Sequence, residues 1–246
     1  MTQNAGREFM RKTYYEHLPV SAQNQGLPQP PLELPLGQHE ERVKLPVPDE
    51  LQIPGVELRT VIEERRSLRR YAEKPLTLEE LSFLLWCTQG VKEVSRRPAT
   101  LRNVPSAGAR HAFETYLLVN RVDSLTRGLY RFGAIDHVLA VQDLDSSLPE
   151  KLTTACLKQS MVSSSAVTFF WVAVAERMEW RYPVRGYRYL HLDAGHICQN
   201  LYLSAEAIDC GVCAIAAFDD DLVNEALDLD GNNLFTIYVA TVGKRG

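Results

Sequence analysis

FETYLLVNR (113–121), GLYRF (128–132) and HVLAVQ (137–142) follow one another with only short connections between them. Each run mixes aromatic and β-branched residues and is short enough for a strand. Strands joined by such short loops run antiparallel, because a parallel return needs a crossover of a dozen residues or more. The meander therefore predicts an α+β protein with a mainly antiparallel sheet, rather than a doubly wound parallel one.

Downstream, LPEKLTTACLKQSM (148–161) suggests a helix, and AVTFFWVAVA (166–175) is the longest apolar run. At half the roughly 20 residues that a bilayer span requires, that run reads as a buried strand. The longest helix expected is YRYLHLDAGHICQNLYLSAEAIDC (187–210), with Leu190, Ala194, Ile197, Leu201, Ala205 and Ile208 at steps of three or four. Gly211 stands where a glycine just past the end would stop it. Asp219 can cap a short helix through Leu227, and FTIYVATV (235–242) closes the chain as a strand. Upstream, VELRTVIEER (56–65) reads as a helix with Leu58, Val61 and Ile62 on one side. Thr77 and Glu80 form a capping box for a second helix carrying Leu81, Leu84 and Leu85, which Gly90 ends.

Before Gly55 the character changes. Eight of the thirteen prolines fall in the first 56 residues, and proline neither donates to a ladder nor lets its predecessor stay helical. We therefore divide the chain into a proline-rich arm, 1–56, and a folded domain, 57–246. Residues 18–54 should run extended, either as a disordered tail or as a strap over a partner subunit. The apolar residues spaced through QGLPQPPLELPLG and VKLPVP favour the strap.

The composition, 45% hydrophobic and 24% charged over 246 residues, is that of a globular protein whose core needs no staples. A net charge of -4 and a pI near 5.9 argue against a nucleic-acid partner. The first twenty residues contain no apolar stretch of the kind a secretory signal uses, and five irregularly spaced cysteines suit reduced thiols, so a cytoplasmic protein without a membrane anchor is expected.

Against that acidic background ERRSLRRY (64–71) gathers Arg65, Arg66, Arg69 and Arg70 around Ser67. If a helix continued through them, the arginines would stand as like-charged pairs four apart, a cost that a bound anion offsets. Guanidinium forks match phosphate oxygens bidentately. The competing reading is a solvated basic face balanced by Glu63, Glu64 and Glu73. VPSAGARH (104–111) can form a tight turn whose amides approach a ligand, or a simple loop. CGVCAIAAF (210–218) holds one CxxC, but a helix rather than a strand is expected before it, so small buried cysteines around a helix stop are the better reading than redox chemistry. His191 and His196, five apart, fall on different helix faces, and no metal site is expected. No dinucleotide fingerprint, P-loop or nucleophile elbow is present.

Taken in order, ERRSLRRY, TLEELSFLLWCTQGV, RNVPSAGARHAFETYLLV, GLYRF, RGYRYLHLDAGHICQNLYLSAEA, CGVCAIAAFDDD and YVATVGKRG resemble the flavin-dependent nitroreductase family, in its SagB-type, azoline-oxidase-like branch. The resemblance covers 57–245. It implies a nitroreductase-like α+β fold, an entwined homodimer and FMN at the subunit interface, with NAD(P)H as electron donor. It also implies that Arg65, Arg66 and Ser67 contact the phosphate and ribityl chain, and that Arg69 lies beside the flavin N1/O2 edge. Lys244 and Arg245 would complete the phosphate site. Pro105, Ser106, Ala107 and Gly108 would reach the flavin from the other subunit, and Ala216 and Ala217 would pass its N5 edge. Ala216-Ala217 replaces the Glu-Gly common in nitroreductases proper. The Lys-Tyr pair of azoline oxidases is matched only by Arg181-Tyr182, and arginine is a poor base, which leaves Tyr182 as the one protein residue with a catalytic role to test. The reading is hydride transfer between NAD(P)H and a small organic acceptor. The alternatives are a dehydrogenase passing electrons from a peptide-derived ring to oxygen, and a flavin-binding protein without turnover.

Overall fold

The computed structural model describes residues 4–37 and 40–246. The meander forms as expected: β4 (Phe113–Val119), β5 (Gly128–Gly133) and β6 (Val138–Asp143) pair in sequence, Leu117 opposite Tyr130 and Phe132 opposite Leu139. β1 (Arg42–Lys44) adds to the free side of β6. On the other side β4 pairs with β7 (Val167–Val174), which pairs with β9 (Leu234–Lys244), and β8 (Cys210–Ile215) closes the order β1-β6-β5-β4-β7-β9-β8. Every strand pairing is antiparallel. A separate hairpin joins β2 (Val91–Val94) to β3 (Thr100–Arg102).

Helices cover both sheet faces. α3 (Leu78–Gln89) and α7 (Gly186–Glu206) pack Leu81, Leu84, Leu190, Ile197 and Leu201 against Leu117, Phe169, Trp171 and Val242. α4 (Leu148–Ala155), α5 (Met161–Ser164) and α8 (Asp220–Ala226) pack Leu152, Val162 and Val223 against Leu118, Phe170, Val172 and Val239. Alternate residues of β7 thus enter opposite cores, which is why its whole length is apolar and buried. The remaining helices are α1 (Ala5–Lys12), α2 (Leu58–Glu64) and α6 (Ala175–Glu179).

The capping box of α3 is made, with Glu80 N donating to Thr77 Oγ1 at 3.1 Å and Thr77 N to Glu80 Oε2 at 2.9 Å. Four expectations change. The long helix ends at Glu206, and Asp209 at φ 52° turns the chain, so Gly211 is no helix stop but the second residue of β8. Because Cys210 and Cys213 sit on a strand three apart, they enter opposite cores, which explains both their burial and their lack of pairing. The 148–161 helix breaks where Leu157 and Lys158 adopt φ 54° and 59°. In α2 only Val61 is buried, while Leu58 and Ile62 stay 62% and 55% exposed.

Apart from α1 and two 3-10 turns, Tyr15–His17 and Pro48–Glu50, the described part of the arm runs mostly extended, and it packs on its own chain rather than hanging free as a tail. Proline carbonyls lack a ladder and are open acceptors, and buried arginines use them. Arg177 Nε donates to Pro31 O at 2.7 Å and Arg131 Nη2 to Pro35 O at 2.7 Å. Leu34 N donates to Glu114 Oε1 at 2.9 Å, and Ala134 N to Glu33 Oε1 at 2.6 Å. Beneath the arm, Glu114 pairs with Arg177, each almost wholly buried.

Candidate functional site

α2 stops at Glu64, where Arg65 leaves the helical region at ψ 123°, so the arginines that follow do not stack as helical neighbours. The chain instead runs along the outer edge of β8. Leu68 N donates to Val212 O at 2.9 Å and Ala72 N to Lys244 O at 2.9 Å. Gly211 makes this approach feasible, since a Cβ there would lie 2.4 Å from Leu68 Cδ2. Tyr71 locks the segment, its hydroxyl bonding Leu68 O and Thr241 Oγ1 at 2.7 Å each. Burial pushes its pKa up, so it stays a phenol.

Tyr202 of α7, missed by sequence reasoning, organises what this segment presents. Its hydroxyl lies 3.0 Å from Ser67 Oγ and accepts from Ala214 N at 2.9 Å, and its ring lies 5.1 Å from Arg65 Cζ. The available signal was that a buried tyrosine needs a partner for its hydroxyl. Arg65, Arg66, Arg69 and Arg70 belong to no ion pair among the described residues. Glu63, one of the carboxylates expected to balance them, is taken by Arg59 at 2.8 Å. Four guanidiniums without an ion-pair partner and a serine hydroxyl, on a backbone fixed to the sheet, are donors of the kind a phosphate takes.

The C-terminal cations reach the same strand edge but are already engaged. Lys244, 6% exposed, donates to Ile208 O at 2.7 Å and pairs with Glu80. Arg245 pairs with Glu206 and donates to Cys210 O at 3.3 Å. Burial raises the Glu206 carboxyl against the pull of Arg245.

Pro105 and Ser106 lead into a one-turn 3-10 helix, Ala107–Ala109; Gly108 and Ala109 within it and His111 just beyond it have φ of 58°, 52° and 44°. Such left-handed backbone is costly for residues other than glycine and persists where its surroundings enforce it. Asp193 of α7, also missed, does so: its carboxylate accepts from Ala107 N at 3.2 and 3.3 Å. Ser106 Oγ accepts from His111 N at 2.9 Å. Burial raises the Asp193 pKa, opposed by Ser106 and the Ala107 amide. Tyr182 and Arg181 meet this turn, for a Cβ on Gly108 would lie 2.5 Å from Tyr182 Oη and 2.9 Å from Arg181 Nε. Asp193 and Tyr202 are nine residues apart on α7, a rise of about 13.5 Å, so one chain holds the arginine edge and the turn at separate points along that helix. Ala216 and Ala217 are exposed just beyond β8, and Ala217 O is tethered by Gln159 Nε2 at 2.8 Å.

The titratable side chains inside the fold are quiet. Burial pushes Cys87 up to about 11 and Cys156, Cys198 and Cys210 up to about 12, so none is a ready thiolate. Burial, then Arg102 and Arg110, drive His111 down to about 3. The arrangement can bind and orient an anionic group better than it can supply a nucleophile.

Residues 62–244 match the model described as the nitroreductase family. "Putative nitroreductase MJ1384" of Methanocaldococcus jannaschii is 35% identical over 183 residues, covering 73% of this chain and 90% of that protein. The trifolitoxin-processing protein TfxB of Rhizobium leguminosarum bv. trifolii is 29% identical over 52% of this chain, which spans only 35% of that relative. A nitroreductase-like crystal structure from Anabaena variabilis superposes with a TM-score of 0.65 at 30% identity, covering 77% of this chain and 38% of that one. Another, from Desulfovibrio desulfuricans and solved in complex with FMN, gives 0.55 at 16% identity over 78% of this chain and 88% of that one.

Proposed function

Since the chain belongs to the nitroreductase family, we propose that it is an FMN-dependent oxidoreductase moving a hydride between NAD(P)H and a small organic acceptor, as a cytoplasmic homodimer. The observation that carries this reading is the set of four arginines without a carboxylate partner among the described residues, beside Ser67 and Tyr202. Arg65, Arg66 and Ser67 would hold the phosphate and ribityl chain. Arg69 would serve the N1/O2 edge, where a fixed cation would favour the negative charge of reduced flavin. Lys244 and Arg245 join the phosphate by exchanging Glu80 and Glu206 for it. FMN, when bound, would supply the redox chemistry of hydride transfer.

The chain's own work is binding, orientation and exclusion of water. The Pro105–Gly108 turn, held by Asp193, would reach the flavin of the second subunit, and Ala216-Ala217 would line its N5 edge with small side chains. The uncovered apolar residues Val56, Leu58 and Ile62 suit the subunit contact. No helix of the described residues is long and apolar enough to cross a membrane.

A second reading, SagB-type oxidation of an azoline or similar peptide-derived ring by oxygen, is favoured by Tyr182 meeting the Gly108 turn and by the likeness to TfxB. One preparation tests both. Yellow protein that releases FMN and is bleached anaerobically by NADH or NADPH supports the reductase. FMN that resists both nicotinamides but is reduced by an azoline peptide, with loss of two hydrogens from the peptide by mass, supports the second reading. Protein that cannot be loaded with FMN overturns the role given to the arginines, and bound FMN that no donor reduces leaves a flavin-binding protein.

A further inference from the structure

Gly108 is enclosed by donors. On one side Arg110 Nε donates to its carbonyl at 3.1 Å, and on the other Arg181 Nε and Tyr182 Oη occupy the space a side chain would need. Neighbouring arginines are committed: Arg177 to Glu114 and Pro31 O, Arg131 to Pro35 O, Arg185 to Thr13 O at 2.6 Å, Arg188 to Met10 O. Arg181 is not, and Arg110 makes only the bond from Nε to the Gly108 carbonyl, which leaves its terminal N–H groups without a hydrogen-bond partner among the described residues. Neither belongs to an ion pair among the described residues, and the Arg181 side chain makes no hydrogen bond there. Burial and then the Arg181 charge pull Arg110 below its ordinary value, so the two cations sense each other. Each leans on an aromatic ring, Arg110 Cζ 5.2 Å from Trp180 and Arg181 Cζ 5.5 Å from Tyr182, which orients the guanidinium planes without consuming their N–H donors. Two neighbouring, uncompensated guanidiniums in an acidic chain repel unless an anion joins them.

We propose that Arg110, Arg181 and the Tyr182 hydroxyl form a recognition site for an oxyanion group, carboxylate or phosphate, carried by the substrate. The donors are two planar forks and one O–H, which suit a bidentate oxyanion. The site differs from the Arg65–Arg69 edge in residues and in its position along α7. That its ligand is the substrate rests on the flavin reading above, while the anion site itself does not.

Trp180 supplies the readout, since an anion drawn to Arg110 changes the field at its ring. Intrinsic fluorescence of both FMN-free and FMN-loaded protein is titrated with benzoate, methyl benzoate, phenyl phosphate and inorganic phosphate, with Trp180→Phe as the reporter control. Saturable, salt-sensitive binding of benzoate or of a phosphate is expected, absent for the ester. Arg181→Gln should weaken it about tenfold or more, and Arg181→Lys by less. The better ligand between benzoate and phenyl phosphate identifies the group. FMN affinity, followed by flavin fluorescence, should be the same in Arg181→Gln, so loss of the cofactor site is not mistaken for loss of the anion site. Equal binding of acid and ester, binding indifferent to Arg181, or no binding of any anion at millimolar concentration overturns the proposal.

Discussion

A methyl group at position 211 would have to displace Leu68, because its Cβ would stand 2.4 Å from Leu68 Cδ2. Gly211→Ala is therefore expected to lift the 65–72 segment off β8 and weaken FMN binding about tenfold or more, with the circular dichroism of the fold retained. Tyr202→Phe is subtler, removing one hydroxyl that serves Ser67 and Ala214. At about 0.5–1.5 kcal/mol for each of two hydrogen bonds, it should lower stability by about 1–3 kcal/mol and weaken FMN several-fold. Denaturant unfolding and flavin fluorescence quenching measure the two effects separately. The residue types at 65–70 left an anion site and a solvated basic face both open, and the structure adds that the four arginines have no carboxylate partner among the described residues. Tyr202 and Asp193 were not legible, because each acts across α7 on a loop distant in sequence.

Among the elements, the arm tests how buried charge and chain path are linked. Glu33 accepts from Ala134 N and Ile135 N, and burial, then Glu114, raise its pKa against Arg102 and those amides. With the folded pKa above the unfolded one, its contribution is complete below the ordinary carboxylate range and is lost as pH rises through the raised value. Glu33→Gln keeps the acceptor oxygen and removes the titration. The melting temperature of the natural protein minus that of Glu33→Gln should therefore fall as pH rises from 4 to 8, and a constant difference would reject the assignment. The arm's extended path was legible from its prolines. Its landing place was not, because Glu114 and Arg177 lie about 80 and 146 positions from their arm partners.

For the whole molecule, α2 shows an apolar side that its own chain leaves open, with Leu58 62% exposed. In the proposed homodimer that side is covered. Leu58→Asp should leave the monomer folded, because the residue supports no core of its own, yet shift the protein to half its mass in light scattering and empty it of FMN. An unchanged dimer with full FMN content would move the interface elsewhere.

The amino-acid sequence by itself determined the antiparallel meander, the capped α3, the buried β7, the proline-directed arm and the gathering of basic charge at 65–70. These depend on local spacing, on backbone limits of particular residues, or on charge. Only the tertiary structure decided that CGVCAI is a strand, that Lys244 and Arg245 meet Glu80 and Glu206, that the arm folds back on its own chain, and that Arg110, Arg181 and Tyr182 converge on Gly108. The strand forms because β9 offers it a complete ladder, with Cys210 opposite Lys244 and Ile215 opposite Val239, a pairing that spans some thirty residues and outweighs the local helix pattern running up to it.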